Sequence, residues 1–255
     1  MLKAVGVYRE VSLAGKPEAD MAILDATAAE LRKFGFDVSV FHPDKIPEDA
    51  KADLVFSMAR SAASHARIAK LGARVVVNSL KSISDSLNRE LSYSLLEKAG
   101  VPIPGTRVVA ARGSDWPMKK LILKRPDRHE FTKVAATEEE FNRAMDEYIG
   151  QGVERVVAQD FVEGMHVKYY TIGNEAFLAD DAESRLPADV VKRMKIHAVR
   201  AGEALGLRVF GGDFMVDGQK AFLVDLNDWP TFSPMREEAA RKIAALLARE
   251  LETVA

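Results

Sequence analysis

Three side chains near the end of the chain have the types and spacing of a hard-cation site. The stretch "VDLNDWPTFSP" (224–234) carries Asp225 and Asn227 two residues apart at the end of an apolar run, and positions i and i+2 of a strand share a face. Upstream, "VFGGDFMVDGQKAFLVDLND" turns at Asp217-Gly218, a strong hairpin dipeptide. Counted outward from that turn, Asp213 pairs near the Leu223–Asp225 stretch, so Asp213, Asp225 and Asn227 could share one face. Two carboxylates and one amide oxygen suit Mg2+ or Mn2+; magnesium takes few protein ligands and completes its shell with water and phosphate oxygens. Such a metal usually accompanies a nucleoside triphosphate. The competing reading is a polar turn, because Asx residues favour turns whatever the function.

Cations recur at comparable positions. Lys124 ends the apolar run "LILKRP", where a lysine is ordinarily solvated. Lys168 lies among apolar and aromatic neighbours in "HVKYYTIGNE", an awkward place for a cation without a partner. "AQDFVEG" closes a third apolar run with Gln159, Asp160 and Glu163, which also reads as an edge strand entering a turn. Arg89 in "LNREL" and Arg185 in "AESRLP" are candidate anion contacts or solvated surface arginines.

These residues need a scaffold. The first hundred residues alternate apolar runs ("AVGVY", "FDVSVF", "ADLVFSMA", "ARVVVNS") with the helical pattern "EADMAILDATAAELRKFG", in which Leu24, Ala28 and Leu31 share a face. That rhythm predicts a parallel α/β sheet covered by helices. Ligand sites then lie beyond the carboxyl ends of the strands, which here carry Arg9, Arg60 and Asn78-Ser79. "SDSLNRELSYSLLEKAG" reads as one helix with Leu87, Leu91 and Leu95 at every fourth position. The two prolines of "VPIPGTRVV" hold the next stretch extended and mark a boundary. The second half alternates strands and helices, and "REEAARKIAALLARELETVA" ends the chain as an amphipathic helix.

Bulk composition narrows the classes. The chain has 255 residues, 29% charged and 47% hydrophobic, with a net charge of -2, the profile of a globular protein with no reason to coat nucleic acid or membrane surfaces. Without any cysteine, thiol catalysis, disulfides and thiolate metal sites are excluded. No stretch approaches the roughly 18 apolar residues of a membrane span, and the first apolar run is too short for a signal peptide. A cytoplasmic protein made without processing is expected, its oligomeric state open.

Taken in order, these motifs resemble the ATP-grasp superfamily, whose members include glutathione synthetase, D-alanine–D-alanine ligase and the inositol trisphosphate kinases. The resemblance covers roughly residues 76–234 and is nearest to the glutathione-synthetase-like and inositol-kinase-like branches. It implies an N-terminal pre-ATP-grasp α/β domain (1–104), a small lobe (105–172) with the lysine strand, basic loop and interlobe strand, and an α+β large lobe (173–255) with the metal hairpin. It further implies ATP and Mg2+ (or Mn2+) as cofactors. Lys124 and Arg89 would touch phosphates. Gln159 to Glu163 would hold the nucleotide, with the backbone of Asp160, Phe161 and Val162 on adenine and Glu163 on ribose. Lys168 would face the phosphates or the substrate, and Arg185 an anionic acceptor or intermediate. Asp213, Asp225 and Asn227 would hold the metal, and Trp229-Pro230 would shape the wall toward the acceptor. The implied activity is ADP-forming ligation of a carboxylate to an amine or other nucleophile through an acylphosphate. The alternatives are an inositol-phosphate-type kinase, with Arg9, Arg60, Arg185 and Lys133 around a phosphorylated acceptor, and a nucleotide-binding module without turnover. One departure stands out. The stretch after the lysine strand, "RPDRHEFTKVAAT", has no glycine, so Arg125, Arg128, His129 and Lys133 would replace the backbone amides of a glycine-rich phosphate loop.

Overall fold

The computed structural model describes residues 1–10, 17–127, 131–179 and 181–254. Arg128 and His129, expected in a phosphate-covering loop, lie outside these residues.

The N-terminal layer contains β1 (Lys3–Val7), α1 (Pro17–Lys33), β2 (Asp37–Phe41), β3 (Leu54–Ser57), α2 (Ala62–Lys70) and β4 (Val75–Val77). Its four strands are parallel in the order β2-β1-β3-β4. Ile23, Leu24, Ala28 and Leu31 of α1 are all buried, the helical stripe expected from their spacing.

The expected single helix over 84–100 is two. α3 (Leu80–Leu87) stops at Asn88, which leaves the helical region (φ -81, ψ 96). The Asn88 side chain then accepts from the Leu91 amide and starts α4 (Arg89–Lys98), the ordinary N-cap use of asparagine. The break turns Arg89, Ser92, Tyr93 and Leu96 inward and leaves Leu91 exposed. It also aims the Arg89 amide at the Pro126 carbonyl, 2.8 Å away.

β5 (Thr106–Ala110), β6 (Leu121–Lys124), β7 (Thr132–Ala135), α5 (Glu138–Gly150) and β8 (Arg155–Asp160) follow, with an antiparallel sheet in the order β5-β8-β6-β7. Part of the stretch read as a basic loop is thus strand β7. The last sheet combines β9 (Met165–Ile172), β10 (Glu175–Leu178), β11 (Val209–Asp217) and β12 (Lys220–Asp228) in the order β10-β9-β11-β12. Before β11 come α6 (Ala182–Arg185) and α7 (Ala188–Leu205); α8 (Arg236–Thr253) closes the chain. The apolar stretch that contains Lys168 is not one continuous strand but the β9/β10 hairpin. Because β9 pairs with β11 along its length, the change of sheet falls at 161–164, earlier than the expected boundary after 172. Gly164 makes it possible: its φ is +145, and a Cβ there would lie 2.1 Å from the Val216 carbonyl oxygen, a conformation and an approach open only to glycine.

The hairpin β11/β12 turns at Gly218 (φ +57), and Asp217 pairs with Lys220. Regular pairing runs back to Phe214 opposite Leu223, and then the register shifts, so that Asp213 faces Asp225. Val224 is the extra residue of a β-bulge.

One core joins the N-terminal layer to the last sheet, with Leu24 and Leu31 of α1, Ile243 and Leu247 of α8, and Tyr170 and Ile172 of β9 in a single buried cluster. Asn78, fully buried after β4, accepts the Arg208 and Val209 amides at 2.7 and 2.9 Å and donates to the Val209 carbonyl at 2.7 Å. Asn78→Ala leaves the buried Val209 amide and the part-buried Arg208 amide without this acceptor, while the Val209 carbonyl keeps the Trp229 amide at 3.0 Å. Urea denaturation should show a loss of about 2–4 kcal/mol, since each orphaned group costs roughly 1–3 kcal/mol; a change under half a kcal/mol would contradict this role.

Candidate active site

The bulge sets the central geometry. Asp213 stands opposite Asp225 on one side and Lys168 on the other, and Asn227 lies two positions along, opposite Gly211. Directly opposed residues share a face, so Lys168, Asp213, Asp225 and Asn227 occupy one face. The other face packs Tyr169, Phe210, Phe214, Leu223 and Leu226 against α7. Opposed carboxylates repel, and cations surround them. Asp213 Oδ1 lies 3.3 Å from Lys168 Nζ and 2.8 Å from His166 Nε2. Arg89 lies 3.8 Å from Asp225 Oδ1. Asn227 donates its amide nitrogen to Asp225 Oδ2 at 2.9 Å. Two carboxylates held opposite one another beside an amide oxygen fit a magnesium-like ion, which keeps most of its shell as water or phosphate. Among the described residues no three His, Cys, Asp or Glu side chains converge into a closed metal cage.

Lys124 ends β6 buried, only 4% exposed. Its Nζ donates to Val224 O at 2.7 Å, Gln159 Oε1 at 2.8 Å and Tyr93 Oη at 2.9 Å. Far from being a solvated strand-end lysine, it ties the middle sheet to the bulge. Arg89, 3% exposed on the first turn of α4, donates to the Arg125 carbonyl at 3.1 Å.

The interlobe stretch is less open than its sequence implied. Gln159 is fully buried between Lys124 and Thr106. The Asp160 amide donates to Gly105 O at 2.8 Å and the Phe161 amide to Lys120 O at 3.2 Å. The Val162 amide has no hydrogen-bond partner among the described residues. The Asp160 carboxylate lies 2.6 Å from Lys119 Nζ. Glu163, largely exposed, lies 3.3 Å from Lys120 Nζ, which itself sits 3.5 Å over the Phe161 ring.

The N-terminal layer grips the end of β12. Arg60 pairs with the buried Asp228 carboxylate, and Arg9 donates to Trp229 O at 2.9 Å. Burial lowers the Arg9 pKa and neighbouring Arg60 adds to the effect, while Asp228 and Asp20 oppose it. Trp229 does not line the site; it is buried beside Phe56, ring centroids 6.4 Å apart. Pro230 does line it, in a cavity of about 350 Å3 with Lys168, Tyr170, Gly212, Asn227 and Ser233. Arg185 is not among the lining residues; it lies 3.5 Å from Asp181 on its own turn. Tyr93, Tyr170 and Ser233 were not singled out from sequence, since nothing in their local pattern distinguishes them from core or turn residues.

The whole chain can be superposed on solved structures. Against the D-alanine–D-alanine ligase of Bacillus anthracis complexed with ATP, the TM-score is 0.76 at 14% identity, covering 100% of this chain and 98% of that one. The chain has the ATP-grasp fold of these ligases. The D-alanine–D-alanine ligase of Coxiella burnetii gives 0.77 at 16% identity, covering 100% and 96%. The VanG D-Ala:D-Ser ligase of Enterococcus faecalis gives 0.74 at 13%, covering 100% and 99%. No protein-family model and no curated protein matches the sequence. Among the described residues no helix is long and apolar enough to cross a membrane.

In the N-terminal layer, Glu10 closes the N-terminus of α2, accepting the Ser61 amide at 2.9 Å and the Arg60 amide at 3.1 Å. Burial alone would raise its pKa, but the hydrogen bonds from the Ser64 side chain and the Ser61 and Arg60 amides outweigh it and bring the value down from 4.5 to about 2. A folded pKa below the unfolded one stabilises the fold above the unfolded value, and the gain is lost as pH falls. Wild type should therefore exceed Glu10→Gln in urea stability at pH 6, with the gap closing between pH 4.5 and 2. A gap independent of pH would show that the carboxylate charge is not what holds α2.

Proposed function

We propose that the protein is an ATP- and Mg2+-dependent ligase that joins a carboxylate to an amine or other nucleophile and releases ADP and phosphate. The observation that carries this reading is the row Lys168–Asp213–Asp225 with Asn227 beside it, flanked by Lys124 and Arg89. The ATP complex of a ligase with this fold supports it. Within the superfamily, the motifs favour the glutathione-synthetase-like and inositol-kinase-like branches.

Asp213, Asp225 and Asn227 would hold the metal, which neutralises phosphate charge and polarises the γ-phosphate when bound. Lys124, Arg89 and Lys168 add positive charge for the phosphates, and burial holds Lys124 and Arg89 in place. The carboxylate oxygen of the first substrate attacks the γ-phosphorus, the bond to ADP breaks, and an acylphosphate forms. The second substrate then attacks the acyl carbon, the bond to phosphate breaks, and the proton of the nucleophile passes to the departing phosphate or to water. Both steps are served by positioning and charge rather than by a protein nucleophile. The Val162 amide and Glu163 remain the adenine and ribose candidates. The cavity beside Asn227 and Pro230 would take the acceptor. In this reading residues 1–104 form the pre-ATP-grasp domain, and the nucleotide lies between the two antiparallel sheets. The kinase alternative is less favoured: among the described residues the cations it would use are already paired, Arg60 with Asp228, Arg9 with Asp20, Arg185 with Asp181 and Lys133 with Glu147.

ATP or ADP should raise the melting temperature more with Mg2+ than with EDTA, by mass action. No shift at millimolar nucleotide would sink the reading. With amino-acid pools as substrates, ADP should appear together with free phosphate; ADP without phosphate would indicate a kinase.

Asp225→Asn keeps shape but removes one anionic oxygen. The Mg2+ enhancement of nucleotide affinity should fall by at least about tenfold, the lower end of what even outer partners of a metal are worth, while metal-free binding persists. A titration in which the variant keeps the wild-type Mg2+ dependence would remove Asp225 from the metal set.

A further inference from the structure

Resting on the nucleotide reading above, we propose that Tyr93 and Gln159 are positioning residues for Lys124, and that phosphate enters by displacing the Tyr93 hydroxyl from its ammonium. An ammonium has three N–H groups and no more. Here three acceptors take them at 2.7–2.9 Å, from β12, β8 and α4. The side chain is buried, so the grip keeps the cation hydrogen-bonded in the free protein, where an unpaired charge would be costly. A phosphate oxygen would be a fourth partner and must replace one of the three.

The three are not equally replaceable. The Val224 carbonyl is main chain, exposed by the bulge. The Gln159 amide is pinned from behind, donating to Thr106 Oγ1 at 3.1 Å, which donates to Pro104 O at 2.7 Å. The Tyr93 hydroxyl already donates to Val224 O at 3.1 Å and keeps that bond if Lys124 leaves. It therefore loses least.

Tyr93→Phe removes the acceptor and keeps the ring, whose centroid is 5.4 Å from Nζ. One Lys124 N–H is then unsatisfied before phosphate arrives, and binding no longer breaks a bond. Calorimetric titration should show ADP binding about three- to tenfold tighter than to wild type, the equivalent of one net hydrogen bond, with adenosine affinity unchanged. Gln159→Glu, which offers Lys124 an ionised partner, should move ADP affinity the other way by a similar factor, again sparing adenosine. In a Lys124→Met background Tyr93→Phe should have no effect on ADP. A purely structural Tyr93 would shift ADP and adenosine alike, or neither, in both variants, and that result overturns the proposal. If wild type binds ADP normally and the ADP-to-adenosine ratio is the same in both variants, the grip alone fails; if wild type binds no ADP, the nucleotide reading fails with it.

Discussion

The bulge at Val224 is the constraint on which the rest of the site depends. One extra residue on β12 does two things at once. It rotates Asp225 onto the face that carries Asp213 and Lys168, and it takes the Val224 carbonyl out of the ladder so that Lys124 and Tyr93 can use it. Bulges re-aim side chains and interrupt pairing at the same point. Here both effects converge on a buried cation and a pair of opposed carboxylates. Leu223 and Leu226 remain in the core under α7 on either side of the bulge, so the irregularity does not disturb the packing that anchors the strand.

The carboxylate pair and the cations around it depend on each other. Opposed like charges are unfavourable alone, and buried cations are unfavourable unless hydrogen-bonded. Lys168 beside Asp213 and Arg89 beside Asp225 lower the first cost. Neutral acceptors from three elements lower the second at Lys124. The arrangement is held from outside by the N-terminal layer. Arg9 and Arg60 grip the backbone around Asp228 and Trp229, and Asn78 completes the start of β11. The end of β12 is therefore fixed on two sides, just where Asn227 and Pro230 border the cavity.

Much of the scaffold was legible in the chain. Period-3.6 spacing marked α1 through Leu24, Ala28 and Leu31, and the Asp217-Gly218 turn marked the β11/β12 hairpin, because local periodicity and turn chemistry operate over a few residues. The helix break at Asn88 was not read, since asparagine inside an apolar repeat looks the same whether it caps or is merely tolerated. The strand β7 was hidden in a charged stretch, because an edge strand with little burial carries no clear alternation.

The site divides in the same way. Residue types alone determined the hard-oxygen set, the lack of thiol chemistry and the order of the cationic motifs. Counting outward from the turn without a bulge would oppose Asp213 to Val224 and put Asp225 on the other face. Only the folded sheet, where Leu223 stays in the core and Val224 is the residue left over, decided that Asp225 faces Asp213. Whether Lys124 is solvated or buried was likewise decided by long-range packing, with Tyr93, Gln159 and Val224 lying 31, 35 and 100 residues away. A single-residue shift reverses every side chain beyond it, and the energies that choose it come from contacts distant in sequence.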